Sequence, residues 1–155
     1  MNIEQFTTKY NIPFNKITVN IVNGVKKPTW DNKSMPLEEV LNRRQPKKYN
    51  NYSLYLKYTD PNKKIFCVDL DNYKNDTWNN SNEEDLIKCE IYKLLKDANC
   101  YHTKTKKGLH YYCIINDVPE YSNEKKVYYN EDFDIDLICR GNNMWEQKDR
   151  LVQGD

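Results

Sequence analysis

Two Asp-x-Asp pairs, Asp69/Asp71 and Asp134/Asp136, and one histidine, His110, have the types and spacing to do chemistry together in this 155-residue chain. Each pair lies in an apolar run, KIFCVDLD and FDIDLIC, and His110 opens a third, GLHYYC. Side chains alternate faces along a strand, so residues two apart share a face. Phe66, Val68 and Leu70 then point one way, and Asp69 and Asp71 the other. Phe133, Ile135 and Leu137 oppose Asp134 and Asp136 in the same manner, and His110 opposes Leu109 and Tyr111. Two carboxylates about 7 Å apart on one strand repel unless a cation lies between them, and hard oxygen ligands suit Mg²⁺ or Mn²⁺. An Asp from a neighbouring strand would complete a two-metal clamp for in-line displacement at phosphorus. His110, preceded by Lys106 and Lys107, would offer donors to phosphate oxygens. An Asp-x-Asp pair alone is common on a solvated face, and a single His is more often structural than catalytic. The ordered combination is what points to chemistry.

Several elements must hold these residues. ITVNIV (Ile17 to Val22) reads as a strand, followed by an Asn23-Gly24 turn and the basic segment VKKPTW. A helix is predicted from Pro36 to Arg44, with proline near its first turn, acids early and Arg43/Arg44 at its end. YSLYLKY (Tyr52 to Tyr58) and KIFCVDLD (Lys64 to Asp71) read as strands. Next comes a helix opened by a Ser81/Glu84 capping box, with Ile87, Ile91, Leu94, Leu95 and Ala98 as its apolar stripe. Strands over Cys100 to Lys104 and Leu109 to Ile115 flank a Lys106-Lys107-Gly108 turn. Residues 116–131 read as a tyrosine-rich loop, Phe133 to Cys139 as the last strand, and Met144-Trp145-Glu146 as the start of something further. Strands mixed with helices and hairpins predict an α+β fold with a mixed or antiparallel sheet.

Composition bounds the rest. The length fits one compact domain, and nothing marks a boundary or a repeat. Thirteen Tyr, four Phe and three Trp can build a core and argue against wholesale disorder. No apolar run is long enough to span a membrane, and the N-terminus lacks the apolar core of a signal peptide. Five scattered cysteines without C-x-x-C argue against a disulfide framework or zinc knuckle, so reduced thiols in an intracellular, reducing compartment are expected. The first 64 residues carry 12 Lys and Arg against 5 Asp and Glu, and the remainder 12 against 18. That segregation suits a basic part that meets phosphates and an acidic part that holds metal.

In that order, FCVDLD, TKTKKGLHYYC and FDIDLICRGNN resemble the motifs of the archaeo-eukaryotic primase superfamily. The likeness is nearest to primase–polymerase domains of primase–helicase proteins in large DNA viruses and mobile elements, and KKPTW is similar to that group's N-terminal segment. It covers about Lys26 to Glu146. It implies an RRM-like sheet with flanking helices, packed against a small N-terminal α/β part. It further implies DNA primase/polymerase activity in DNA replication, at a viral replication site or in the cytoplasm. Asp69 and Asp71 would be the first metal-binding pair and Asp136 the third carboxylate, with Asp134 the competing choice. His110 would contact the incoming triphosphate, with Gly108, Lys107 and Arg140 beside it. Two divalent ions, nucleoside triphosphates and a single-stranded DNA template are the implied cofactor and partners, with a helicase in cis or in trans. Lys26, Lys27, Arg43 and Arg44 would track the template. The family's second motif has Ser two residues before the His, and here Gly108 stands there. The early stop after the third motif suggests a reduced form or a piece of a longer primase–helicase, although no G-x-x-x-x-G-K-[ST] is present.

Two other classes fit less well. A non-catalytic nucleic-acid-binding or partner-docking module on the same fold would suit Gly108 but not the carboxylates. A nucleotide-sugar transferase would use one Asp-x-Asp but leaves His110 and the third strand unexplained.

Overall fold

The computed structural model describes residues 1–29, 35–60, 63–72, 87, 89–116, 124–129, 133–138 and 143–155. For 63–64, 72, 115–116, 124–129 and 133–138 only backbone placement is described. The Ser81/Glu84 box, Trp30, Cys139 and Arg140 lie outside the described residues.

The chain is α+β with antiparallel sheets. The elements are α1 (Ile3–Lys9), β1 (Phe14–Ile17), β2 (Val19–Val22), β3 (Val25–Pro28), α2 (Leu37–Asn42), β4 (Asn51–Leu54) and β5 (Lys63–Asn72). They continue as α3 (Glu90–Asp97), β6 (Tyr101–Lys104), β7 (Gly108–Asn116), β8 (Glu124–Tyr129), β9 (Phe133–Ile138) and β10 (Met144–Gln147). Five strands form one sheet in the order β6-β7-β5-β9-β8, and three form a second in the order β1-β4-β10. β2 and β3 make a separate hairpin.

Both faces of the β6-β7-β5 part of the larger sheet are covered. On one, Val68 and Leu70 of β5 and Leu109 and Tyr111 of β7 pack on Cys89, Tyr92 and Leu95 around α3. On the other, Ile65, Cys67, Tyr101 and Tyr112 meet Ile3 and Phe6 of α1, with Tyr52, Leu54 and Met144 from the second sheet. The Phe6 ring lies 5.1–5.4 Å from the rings of Tyr10, Tyr101 and Tyr112, in tilted or edge contacts typical of aromatic cores. The ionisable face is therefore half core, half site. Among the described residues no helix is long and apolar enough to cross a membrane, and Cys67, Cys89, Cys100 and Cys113 are free thiols.

Several sequence expectations are corrected. ITVNIV splits at Thr18, because the Asn50 side chain takes both backbone groups of Val19 (2.8 and 2.9 Å) and turns the chain off the sheet after buried Ile17. The basic VKKP segment is a strand, β3, returning through Asn23 and Gly24 at positive φ, the signature of a type I′ turn. YSLYLKY is strand only to Leu54 and then a 3₁₀ turn over Leu56–Tyr58. α2 ends before Arg43, whose backbone is extended. α3 buries Tyr92 and Leu95 below Cys89, while Ile87 and Leu94 are exposed, so the true stripe is offset from the expected one. Residues 124–129 form β8 within the supposed loop. α1 is an addition to the expected elements, opened by a reciprocal capping box between Asn2 and Gln5 at 2.8 and 2.9 Å. The N-terminal part is also not self-contained, since β10 from near the C-terminus pairs with β4.

Candidate active site

The sequence puts the carboxylates and His110 on separate strands, and the register brings those strands side by side. β5 lies between β7 and β9, with Asp69 paired to His110 on one side and to Asp136 on the other. Thr103 of β6 pairs with His110, so Thr103, His110, Asp69 and Asp136 occupy one transverse row of four strands. In the adjacent row Asp71 pairs with Gly108 and with Asp134. Paired residues in an antiparallel ladder share a face, so both rows lie opposite α3.

Glu146 completes the site, and the sequence did not single it out. β10 carries it from the second sheet onto this face, where it is fully buried. Its Oε1 accepts from His110 Nδ1 and Tyr112 Oη, both at 2.6 Å, and the Thr103 hydroxyl reaches both carboxylate oxygens at 3.0 Å. Oε2 also accepts from Arg150 Nη1 at 3.1 Å, one helical-turn spacing away in sequence. The signals were faint: alternation in Met144-Trp145-Glu146 places Glu146 on the apolar side with Met144, where an acid must find donors.

His110 is thus held between two acids. Its Nε2 lies 3.4 Å from Asp69 Oδ1, an ion-pair distance, while that buried oxygen has no hydrogen-bond donor among the described residues. Burial opposes a charged ring, but the Glu146 and Asp69 carboxylates outweigh it and raise the His110 pKa to about 10. Burial likewise opposes ionised Glu146. The charges of His110 and Arg150 and the hydrogen bonds from His110 and Tyr112 overcome that and lower its pKa to about 2. The raised pKa favours an imidazolium, with Nδ1 donating to Glu146 and Nε2 at ion-pair distance from Asp69.

Gly108 has a structural reason. A Cβ built there would lie 1.6 Å from the Leu70 carbonyl oxygen, so a serine cannot occupy this place on the present backbone. Its N–H donates to Thr105 Oγ1 at 2.9 Å within the β6–β7 turn, where Lys106 is exposed and Lys107 half-buried. Gly108→Ala is expected to part β5 from β7 and to destabilise the fold by about 2–3 kcal/mol or more, read as a shifted urea midpoint. An unshifted midpoint would show that the strands can yield.

The implied template-binding residues lie elsewhere, on the β2–β3 hairpin and just after α2. Lys26 and Lys27 are exposed on β3. Arg43, Arg44 and Lys47 line a groove of about 430 Å³ with Thr18 and Thr29, which close the hairpin's base through a 3.0 Å backbone hydrogen bond.

Asp69 and Asp71 offer hard oxygens on one face, and the donor-less Asp69 Oδ1 suits a cation. Among the described side chains no group of three His, Cys, Asp or Glu is clustered to hold a metal ion, so the fit draws on the Asp136 or Asp134 position across the ladder. Comparisons with family models, with curated proteins and with solved structures each gave no match.

Proposed function

We propose that this chain is a metal-dependent nucleotidyltransferase of the primase–polymerase kind, joining nucleotides on a single-stranded DNA template. The observation that carries the reading is the transverse row in which Asp69 stands in register with both His110 and Asp136. The finer fold is supported by the succession β5-α3-β6-β7, in which β5 and β6 run parallel with β7 between them, as in an RRM-like sheet. Asp69 and Asp71, with Asp136 or Asp134, would hold two divalent ions. When bound, Mg²⁺ or Mn²⁺ supplies charge neutralisation at the phosphates and acidifies the attacking 3′-hydroxyl. His110, fixed through Nδ1 by Glu146, carries a positive Nε2–H beside Asp69, where a triphosphate oxygen would accept it. Lys107 and Gly108 stand at the adjacent row beside Asp71, and the resemblance would add Arg140 on the triphosphate.

Primer synthesis on single-stranded DNA, with labelled nucleotides and Mg²⁺ or Mn²⁺, tests the reading. Metal-dependent products are expected, and none in either metal overturns it. A second reading, a binding module without chemistry, is favoured by two observations: the Gly108 N–H is used by Thr105, and both His110 nitrogens face acids of the chain itself. Saturable Mn²⁺ binding that disappears in Asp69→Ala supports the enzyme over the module.

DNA affinity is assigned to the hairpin and its groove. Lys26 and Lys27 changed together to alanine are expected to flatten the log–log salt dependence of single-strand binding by about 0.7 per lost phosphate contact. Binding of unchanged strength and slope would put the template elsewhere.

A further inference from the structure

Cys100 and Cys113 sit on the face of the sheet that carries α3, away from the carboxylate row. Both are half-buried free thiols, whereas Cys67 and Cys89 are buried. Register brings the first two together. β6 pairs with β7 through Tyr101–Tyr112 and His102–Tyr111, and one step back along β6 Cys100 falls opposite Cys113.

The backbone decides what kind of pair this is. Opposed residues in an antiparallel ladder alternate between pairs that exchange two backbone hydrogen bonds and pairs that exchange none. His102 directs its N–H and carbonyl to Gln153, both at 2.8 Å, and so away from β7. His102–Tyr111 is therefore a non-hydrogen-bonded pair, and two residues along Cys100–Cys113 is another. The surroundings of Cys100 agree: its N–H donates to Leu95 O at 3.2 Å and its carbonyl lies 2.9 Å from His102 Nδ1. Non-hydrogen-bonded partners are the closer kind, about 4.5 Å between Cα atoms, within the roughly 4.4–6.8 Å that a disulfide bridges.

From this placement we infer that Cys100 and Cys113 form a reversible disulfide, a redox-sensitive fastening of the β6–β7 hairpin. The oxidant is a small-molecule disulfide, R–S–S–R. The Cys100 thiolate attacks one of its sulfurs, the S–S bond breaks and one thiol, RSH, leaves with the Cys100 proton. The Cys113 thiolate then attacks the Cys100 sulfur of the mixed disulfide and expels the second RSH. Two protein thiols are oxidised by two electrons, and R–S–S–R is reduced to two RSH. Burial, then the charge and hydrogen bonding of the Cys100 side chain, push the Cys113 thiol up to about 12. Cys113 is accordingly the resolving thiol rather than the first to attack. Two of those three causes belong to the Cys100 thiol and lapse once its sulfur is bonded to R–S. The link closes a ring from Cys100 to Cys113 that holds Thr103 and His110, so oxidation braces the hairpin behind the carboxylate row. In a reducing compartment such a link is transient.

The test exposes the folded protein to oxidised glutathione at about 10 mM and pH 8, blocks remaining thiols and maps tryptic peptides. Peptide 97–104 is expected to be linked to peptide 108–125, and dithiothreitol to release it. The linked protein is expected to melt roughly 5 °C or more above the reduced one, because the cross-link constrains the unfolded chain. Cys113→Ser is expected to hold glutathione on Cys100, while Cys100→Ser leaves Cys113 largely unmodified. Free thiols at both positions in the wild type, or a link from either to another cysteine, would overturn the disulfide. An unmoved or lowered Tm in the linked protein would overturn the fastening, and glutathione captured faster by Cys113 than by Cys100 would overturn the order of attack. None of these readings depends on nucleotidyl transfer.

Discussion

Glu146→Ala is expected to cost about 3–5 kcal/mol of folding stability, the largest effect of any single change at this site. The substitution strands a buried imidazolium and removes the acceptor of Thr103, Tyr112 and Arg150 at once. For a chain of this size that corresponds to a fall in Tm of roughly 10 °C or more. Glu146→Gln, which keeps the shape and one carbonyl oxygen, is expected to fall between. A loss under about 1 kcal/mol in urea unfolding would contradict the buried ion pair. The pH profile gives an independent reading in metal-free buffer. Glu146 has a lowered pKa, so its contribution is complete above about pH 4.5 and fades as pH falls toward 2. His110 has a raised pKa, so its contribution is complete below about pH 6.5 and fades as pH rises toward 10. Stability from this pair is therefore fullest between those limits, and Glu146→Gln is expected to flatten both flanks.

Asp69→Asn is expected to lower nucleotidyl transfer by at least about a thousandfold while shifting Tm by no more than a few degrees. The amide fills the same space on β5 but cannot serve as an anionic ligand. Because Glu146 still pairs with His110, the imidazolium keeps one partner. Unchanged transfer at saturating metal would end the two-metal reading. A fall in Tm as deep as that of Glu146→Ala would instead make Asp69 a structural member of the cluster.

Period-two alternation was enough to separate Asp69 and Asp71 from Val68 and Leu70, and to set His110 against Leu109 and Tyr111. These assignments hold because β5 and β7 are covered on both faces, which fixes register strongly. What alternation cannot give is strand order or the exact register, and the meeting of Asp69 with His110 and Asp136 depends on both. Glu146 was illegible for a related reason. Three of its four partners lie 34, 36 and 43 residues away, only Arg150 is local, and no local pattern encodes a pairing between β10 and β4. The break at Thr18 was hidden as well, since the Asn50 side chain that causes it lies on a distant loop. Gly108 reads as part of the turn, and only its pairing with Asp71 as the first residue of β7 shows the close approach of backbones that requires a glycine.

The pairing of β10 with β4 also bears on the order in which the molecule can assemble. The second sheet joins Asn51 to Gln147, and the Met1 and Val152 main chains bond to each other at 2.8 and 3.1 Å. During synthesis β1 and β4 emerge early and wait for almost a hundred further residues before their third strand exists. Until then Tyr112, Thr103 and His110 face a vacancy where Glu146 will sit, and the exposed edge of β4 stays open to wrong partners. Such distant closures slow the search for the native state. Closure of the second sheet therefore waits for the late strand that brings Glu146 to His110.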